Sequence, residues 1–294
     1  MEKRKRGIGC WVEAMRLRTL PVSTAGVVMG CALAVMAGGF AWAPAALCFA
    51  FALLAQIASN FANEYFDYRD GLDKAGRDGP RRGVTEGDIS PRAMLNATIG
   101  TLALACVAGC ALIYYGGWIL LPVGIITAAG ALAYSAGPYP LSRHALGEVA
   151  VVVFFGIVPV TMVYYIMCGS IGMPIVSASI GIGLMSANIL IVNNYRDRDD
   201  DAAVGKTTLA VKFGPRVSLS LYLLNGVAGM ALMIPIGLII GTISIIPLAV
   251  YLLIHFMLWN NLRHKTGAAL NPLLGMTAAN LLLFTLLILA CVCL

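Results

Sequence analysis

The chain has 294 residues, of which 60% are hydrophobic and only 12% are charged, and its formal net charge is +6. This composition lies far from that of water-soluble domains and excludes an ordinary soluble protein. Because all 20 lysines and arginines fall in short islands between long apolar stretches, the positive charge fits an anionic membrane surface and gives no indication of a nucleic-acid partner.

Five stretches of the chain contain no Asp, Glu, Lys or Arg. Each of the first four (19–63, 93–142, 149–195 and 217–262) is long enough for two membrane-spanning helices, and the last (266–294) fits one. Turn signals with glycine near the middle of each long stretch divide it in two. Backbone groups cannot stay unpaired in lipid, so the spans must be helical. In chain order, the predicted spans are 20–41, 44–66, 93–115, 118–137, 147–168, 171–193, 217–239, 241–259 and 270–291.

Nine consecutive spans would place every island of Lys and Arg on the same side of the membrane. Basic residues collect in cytoplasmic loops, so the N-terminus is predicted to be cytoplasmic and the C-terminus outside. The basic segment 1–18, with its Lys-Arg-Lys-Arg run at 3–6, acts as a topology signal. The sequence thus predicts an all-α, multi-pass protein of the cell (plasma or inner) membrane, with residues 1–294 as one domain.

Two acidic loops, 63–92 and 193–216, begin with related sequences. Residues 63–73 read NEYFDYRDGLD and residues 193–201 read NNYRDRDDD. The two align without a gap at an offset of 130 residues, and each lies at the same end of an even-numbered span. This pattern predicts an internal repeat, in which two halves of a helical bundle present matching acidic faces.

The spacing within these loops suggests a metal site. Asn63, Asp67 and Asp70 lie at i, i+4 and i+7, on one face of a helix. The second loop repeats the arrangement with Asn193 or Asn194, Asp197 and Asp201. Clustered carboxylates at a membrane boundary are unfavourable unless a cation offsets them. Mg²⁺ prefers carboxylate oxygens and keeps positions for phosphates, so two such faces could hold Mg²⁺ ions around one diphosphate. The alternative is that these are solvated charges paired with neighbouring arginines.

Basic and aromatic residues near the acidic loops could complete such a site. Arg82 follows the first cluster and Lys206 follows the second, where either could neutralise a diphosphate. The segment around Lys206 lacks the upstream glycine and the strand-to-helix context of a P-loop. Tyr134 ends the fourth span, where its ring could stabilise a carbocation or simply belong to an interfacial belt.

Four stretches carry a resemblance to a known family. They are RLRTLP at 16–21, SNFANEYFD at 59–67 with GPRRG at 79–83, LGE at 146–148 with VFFG at 153–156, and NNYRD at 193–197 with GKTTL at 205–209. In this order they resemble the UbiA superfamily of intramembrane prenyltransferases, and within it the 1,4-dihydroxy-2-naphthoate polyprenyltransferase (MenA-type) branch. One departure is Glu148, which stands where the family commonly has Asp.

The resemblance implies a UbiA-type bundle and a Mg²⁺-dependent prenyltransferase, with Mn²⁺ as an alternative metal, working at the cytoplasmic face. It would transfer a polyprenyl group from polyprenyl diphosphate to 1,4-dihydroxy-2-naphthoate with loss of CO₂, which gives demethylmenaquinone. The implied metal ligands are Asn63, Asp67, Asp70, Asp73, Asn194, Asp197 and Asp201. The implied catalytic carboxylates among them are Asp67, Asp73, Asp197 and Asp201. The implied diphosphate-binding residues are Arg18, Arg82, Asn193 and Lys206. The implied acceptor-binding or cation-stabilising residues are Tyr65, Tyr134, Arg143, Glu148 and Tyr195.

Several alternatives stay open at this point. Another aromatic acceptor (4-hydroxybenzoate, homogentisate, haem or a chlorophyllide) would use the same site. A divalent-cation transporter would also place acids in a membrane protein, although here the acids stop at one membrane face. Asp70 and Asp73 are alternative third acidic ligands, and membrane lipid is the surrounding partner. The sequence predicts neither oligomeric state nor prenyl chain length.

Overall fold

The computed structural model describes residues 7–73 and 79–294. Within these ranges all regular structure is helical, apart from an isolated bridge between His144 and Thr207. The basic run at 3–6 lies outside the described residues.

The described chain contains twelve α-helices, numbered here in chain order. The first half contains α1 (Ile8–Met15), α2 (Leu20–Met36), α3 (Trp42–Arg69), α4 (Pro91–Gly116) and α5 (Leu120–Ala133). The second half contains α6 (Gly147–Val151), which continues through π-helical turns at Val152–Ile157 into α7 (Val158–Cys168), then α8 (Met173–Arg196), α9 (Arg198–Ala203), α10 (Leu209–Ile240), α11 (Ile245–His264) and α12 (Asn271–Cys293).

Eight helical segments of the described chain are long and apolar enough to cross a membrane. The prediction of an all-helical, multi-pass membrane protein is therefore confirmed. The predicted span 118–137 differs, because it contains only the 14-residue apolar helix α5. A helix of that length rises about 21 Å, short of the roughly 30 Å of a hydrocarbon core. Gly137, with φ of 94°, and the prolines at 138 and 140 prevent its continuation.

Two helices form the centre of the bundle. The most apolar parts of the α1–α2 segment and of α8 are 67% and 72% buried, whereas that of α4 is only 17% buried. Around this centre α2 packs against α7 and α12, α8 packs against α10, and α3 packs against α4. The largest buried cluster includes Met29 of α2, Ile182 of α8, Met233 of α10 and Phe284 of α12. The peripheral helices instead expose apolar side chains, as expected of a surface in contact with lipid.

Glycines let α8 approach two neighbouring helices closely. A Cβ atom at Gly156 would lie under 3.0 Å from the backbone of Gly183, and one at Gly181 would lie 2.8 Å from the carbonyl oxygen of Gly229. Small residues at such crossings allow close packing where the hydrophobic effect does not drive association. This packing fixes the position of the polar end of α8.

Replacing Gly156 by alanine tests this packing. Gly156→Ala should lower the free energy of unfolding by about 1–3 kcal/mol, because the new methyl group meets backbone rather than a movable side chain. The measurement is the thermal unfolding midpoint in detergent. Gly124→Ala on α5 is the matched control, since nothing lies within 4 Å of that position. Equal midpoints for the two variants would contradict the close crossing.

Candidate active site at the ends of α3 and α8

The helices that carry the two acidic clusters end differently. α3 ends at Arg69, and Gly71, with φ of 70°, reverses the chain so that the amide of Leu72 donates to the carbonyl of Asp67 at 2.8 Å. α8 ends at Arg196, whereas the sequence predicted one continuous helical face for Asn193 or Asn194, Asp197 and Asp201. Asp201 instead lies on the separate helix α9, because Asp197 has non-helical dihedral angles.

A polar cavity with an empty volume of about 1000 Å³ lies between these helix ends. Of the residues predicted for the site, the lining includes Asn63, Asp67, Arg82, Tyr134, Asn193, Asn194, Asp197, Asp201 and Lys206. The two halves of the internal repeat therefore face one common space. Arg16, Gln56, Ser59 and Asn60 also line it, although the sequence had not singled them out.

Asp67 lines the cavity with a carboxylate that is fully buried and paired with two cations. Its Oδ2 atom lies 2.8 Å from the ammonium of Lys206, and its Oδ1 atom lies 3.4 Å from Nη2 of Arg143. The same Lys206 ammonium lies 3.9 Å from Oδ1 of Asp201. One cation therefore sits between carboxylates contributed by the two halves, which offsets the cost of burying them near each other.

Asn63 accepts hydrogen bonds from two arginines of the first half. Its Oδ1 atom accepts hydrogen bonds from Arg16 at 2.6 Å and from Arg82 at 3.4 Å. Its Nδ2 atom donates to Ser135 Oγ at 3.0 Å and to Asp67 at 3.3 Å. The amide is thus oriented with its oxygen toward cations, as it would be for a metal or for the counter-ions of a diphosphate.

Arg16 takes the place in the cavity lining that the sequence had given to Arg18. Arg18 is exposed and lies outside the lining. Arg16 has left-handed backbone dihedrals (φ 53°) between α1 and α2, and this turn directs its side chain toward α3. Both residues belong to the same short basic motif, so the turn alone distinguishes them.

The second half has its own pairing pattern. Asn194 donates from Nδ2 to Oε1 of Glu148 at 2.9 Å, and both residues are buried. Arg196 donates from Nε and Nη2 to the two carboxylate oxygens of Asp197 at 2.7 and 2.8 Å. It also contacts Oδ1 of Asn193 at 2.8 Å and Oδ1 of Asn271 on α12. Glu148 therefore orients Asn194, and Arg196 orients Asn193 and Asp197, although neither Glu148 nor Arg196 lines the cavity.

Seven residues predicted for the site lie outside the cavity lining: Arg18, Tyr65, Asp70, Asp73, Arg143, Glu148 and Tyr195. The alternatives Asp70 and Asp73 are both among them. Asp70 lies at the surface, where a hydrogen bond from Arg69, joined by one from Arg143, lowers its pKa below the usual value. The Asp73 side chain is buried 3.3 Å from Nε of Arg82.

Tyr65 and Tyr195 occupy matching positions in the two acidic loops, and both lie outside the lining of the polar cavity. Tyr65 makes an edge-to-face contact with Phe66 and packs beside a small cluster near α1. Tyr195 packs against the largest buried cluster of the bundle. At the ends of α3 and α8, amide and carboxylate side chains therefore line the polar cavity, whereas these two rings do not.

A second, apolar cavity adjoins the polar one. Its empty volume is about 1070 Å³, and aliphatic and aromatic side chains of α3, α4, α5 and α7 line most of it. The two cavities share five lining residues: Gln56, Ser59, Tyr134, Val151 and Phe155. The arrangement suits an amphipathic molecule with an anionic head at the helix ends and a long apolar tail among the helices.

The donor set of the polar cavity fits a hard divalent cation. Its candidate ligands are carboxylate and amide oxygens, without thiolate or imidazole groups, as Mg²⁺ prefers. Within residues 7–73 and 79–294, no three His, Cys, Asp or Glu side chains stand close enough together to hold a metal ion. Lys206 and the arginines occupy the carboxylates instead, so an entering cation would compete with Lys206 for Asp67 and Asp201.

Comparison with known proteins gives consistent relatives. The profile of the UbiA prenyltransferase family matches residues 23–282. The 1,4-dihydroxy-2-naphthoate octaprenyltransferase of Haemophilus influenzae is 35% identical over 212 residues, which cover 69% of this chain and 69% of that protein. The enzyme of the same name from Mycobacterium tuberculosis is 37% identical over 212 residues, 72% of each chain.

Solved structures share the fold. A UbiA homolog from Archaeoglobus fulgidus bound to DMAPP and Mg²⁺ has a TM-score of 0.64 at 17% identity, covering 95% of this chain and 99% of that one. The apo structure of a UbiA homolog from Aeropyrum pernix K1 has a TM-score of 0.70 at 18% identity, covering 93% and 96%. At this level of identity the likeness concerns the arrangement of the helices.

Replacing the bridging lysine tests the electrostatics of the cavity. Lys206→Met leaves Asp67 and Asp201 without their shared cation, so the free energy of unfolding should fall by about 3–5 kcal/mol in the absence of divalent metal. Added Mg²⁺ should raise the thermal midpoint of this variant more than that of the wild type. Lys206→Arg is the control, since it keeps the positive charge. A Lys206→Met variant as stable as the wild type without Mg²⁺ would show that the lysine does not hold the two carboxylates together.

Proposed function

The chain belongs to the UbiA prenyltransferase family, and we propose that it transfers a polyprenyl group from polyprenyl diphosphate to 1,4-dihydroxy-2-naphthoate. The prenyl group replaces the carboxyl group of the acceptor, which leaves as CO₂, and the product is demethylmenaquinone on the route to menaquinone. The observation that carries this proposal is the meeting of two repeated Asn/Asp helix ends in one cavity that adjoins an apolar one. Family membership also makes the chain an enzyme and removes the divalent-cation transporter as an alternative.

The polar cavity is the proposed diphosphate site. Asn63, Asp67, Asn194, Asp197 and Asp201 would hold Mg²⁺, with Mn²⁺ as an alternative metal, through their oxygen atoms. When bound, the metal supplies positive charge that stabilises the departing diphosphate. The homolog from Archaeoglobus fulgidus, whose structure contains DMAPP and Mg²⁺, supports this use of the site.

Basic side chains complete the neutralisation of the diphosphate. Arg16, Arg82 and Lys206 line the cavity and offer guanidinium and ammonium donors to phosphate oxygens. Asn193 contributes a further polar contact from α8. Arg16 donates to the amide oxygen of Asn63, whereas Lys206 and Arg82 pair with Asp67 and Asp73 and offset the charge of those buried carboxylates.

The apolar cavity is the proposed site of the prenyl tail. With the diphosphate in one cavity and the tail in the other, the reacting carbon lies where the two meet. The bond from this carbon to the diphosphate oxygen breaks, and the ring carbon of the acceptor forms the new bond. Tyr134 lines both cavities, so its ring is placed to stabilise the allylic cation. The apolar walls exclude water that would otherwise capture the cation.

Several predicted residues support the site without lining it. Arg143 holds Asp67 and Asp70, and Glu148 holds the amide of Asn194. We assign these two as positioning residues, because their contacts fix the orientation of groups that do line the cavity. Asp73 would orient Arg82 in the same way.

We also propose nine membrane crossings, with α5 as the short one, in a single domain over 1–294. The charged ends of α3 and α8 then face the cytoplasm, because all Lys and Arg islands fall on that side. The N-terminus lies inside and the C-terminus outside the cell's inner membrane. The active site thereby faces the compartment in which water-soluble substrates are made.

An assay with purified enzyme tests the reaction. Protein in detergent with Mg²⁺ and a polyprenyl diphosphate is offered 1,4-dihydroxy-2-naphthoate or 4-hydroxybenzoate, and prenylated product and CO₂ are measured. We expect product from the naphthoate, abolished by EDTA, and a loss of roughly 100-fold or more in Asp67→Ala, since that variant removes transition-state charge stabilisation. Asp199→Ala is the matched control, because the Asp199 side chain is 88% exposed within the same motif.

Two results would contradict this reading. Product from 4-hydroxybenzoate in place of the naphthoate would keep the prenyltransferase and overturn the acceptor. Equal losses in Asp67→Ala and Asp199→Ala would show that the cavity carboxylates have no special role.

The proposed topology has its own test. With nine crossings, alkaline phosphatase fused after Leu294 should be active and green fluorescent protein fused there should be dark, because the fusion point lies outside the cytoplasm. The phosphatase needs the oxidising exterior for its disulfides. A fluorescent fusion with an inactive phosphatase would mean an even number of crossings, and α5 would then not span the membrane.

A further inference from the structure

Gln56 lies at the junction of the two cavities, and it is not among the residues that the proposed function assigns to the metal, the diphosphate or the prenyl tail. It is one of the five residues that line both cavities. On α3, Gln56 is followed by Asn60, Asn63 and Asp67 at intervals of four, three and four residues, so all four share one helix face. Gln56 is thus the innermost member of the polar stripe, at the point where polar lining gives way to apolar lining.

Neighbouring hydrogen bonds fix the orientation of the Gln56 amide. Asn60 donates from Nδ2 to the backbone carbonyl of Met15 at 2.9 Å, which leaves Asn60 Oδ1 as an acceptor. Gln56 therefore presents its Nε2 atom to Asn60 Oδ1, at 3.4 Å. The opposite orientation would place two carbonyl oxygens against each other. The Oε1 atom of Gln56 is consequently the one directed away from Asn60.

This oxygen is buried, and it has no hydrogen-bond partner among the residues that the structure describes. A buried carbonyl oxygen without a donor is unfavourable, so such atoms are normally paired with protein, water or a bound molecule. Its location at the junction of the cavities indicates a donor on a substrate.

The two substrates differ in what they can donate. A polyprenyl diphosphate has a hydrocarbon tail and anionic oxygens, so at neutral pH it brings no O–H group to the junction. A 1,4-dihydroxy-2-naphthoate brings two ring hydroxyl groups. The one at position 1 donates to the neighbouring carboxylate of the same molecule, whereas the one at position 4 is free to donate to the protein. Moreover, bond formation at the first prenyl carbon requires the aromatic ring to reach the place where the cavities meet.

We propose that Gln56 Oε1 accepts a hydrogen bond from a ring hydroxyl of the aromatic acceptor and so selects hydroxylated acceptors and positions their ring. This inference rests on the proposed function. It makes Gln56 a specificity-determining residue on α3, separate from the carboxylates that serve the diphosphate.

Acceptor analogues test the contact in the unmodified enzyme. Two analogues that each lack one hydroxyl, 1-hydroxy-2-naphthoate and 4-hydroxy-2-naphthoate, are measured as competitive inhibitors against 1,4-dihydroxy-2-naphthoate. The analogue without the recognised hydroxyl should bind about tenfold more weakly than the other, because a site built to bind a hydroxyl group discriminates against its absence. Equal inhibition constants for the two analogues would overturn the proposal without any substitution.

The variant Gln56→Met tests the same contact from the side of the protein. Methionine has a similar volume but offers no carbonyl oxygen. The KM for the dihydroxy acceptor should rise about tenfold, whereas the KM for polyprenyl diphosphate and the unfolding midpoint stay near the wild-type values. The analogue that lacks the recognised hydroxyl should inhibit Gln56→Met and the wild type equally, because the contact is already absent from that complex.

The other outcomes separate this inference from the proposed function. A wild type that forms product, together with a Gln56→Met variant that keeps the full discrimination between the analogues, would overturn the inference alone. A fall in kcat at unchanged acceptor KM would also overturn it, because Gln56 would then act on the reacting cation. No product from the dihydroxy acceptor in the wild type would remove the proposed function and the inference together.

Discussion

The shared ion pair of Lys206 with Asp67 and Asp201 is the interaction around which the polar end of this molecule is organised. Two carboxylates from different halves of the chain are buried at the edge of a membrane bundle, where an unpaired charge is costly. A cation between them makes the arrangement stable. An entering metal ion would compete with Lys206 for these two carboxylates, and the ammonium of Lys206 would then be free to bind the diphosphate.

The lipid environment determines what surrounds this pair. Charged residues are absent from the long apolar stretches, so every ionic contact of the site forms at the helix ends and in the loops beside them. Deeper among the helices, a second cavity with mostly apolar walls lies between α3, α4, α5 and α7. A molecule with an anionic head and a hydrocarbon tail matches this division, and the chemistry is confined to the boundary between the two cavities.

The sequence predicted the features that depend on composition and spacing. Charge-free stretches predicted a helical multi-pass protein, and the repeated Asn/Asp pattern predicted that the ends of α3 and α8 belong together. The structure adds what depends on local backbone geometry. A left-handed turn at Arg16 brings that arginine to Asn63 in the place predicted for Arg18. The end of α8 at Arg196 moves Asp201 onto α9. Neither feature has a periodic signal, and the unpartnered oxygen of Gln56 emerges only once the contacts of Asn60 are known.

In the proposed reaction both halves of the repeat act on one diphosphate. Isothermal titration of the purified protein with a non-cleavable polyprenyl thiodiphosphate, with and without Mg²⁺, measures this directly. We expect one diphosphate bound per chain, only with Mg²⁺, and loss of binding both in Asp67→Ala and in Asp197→Ala. Wild-type affinity in either variant, or equal binding without divalent metal, would contradict it.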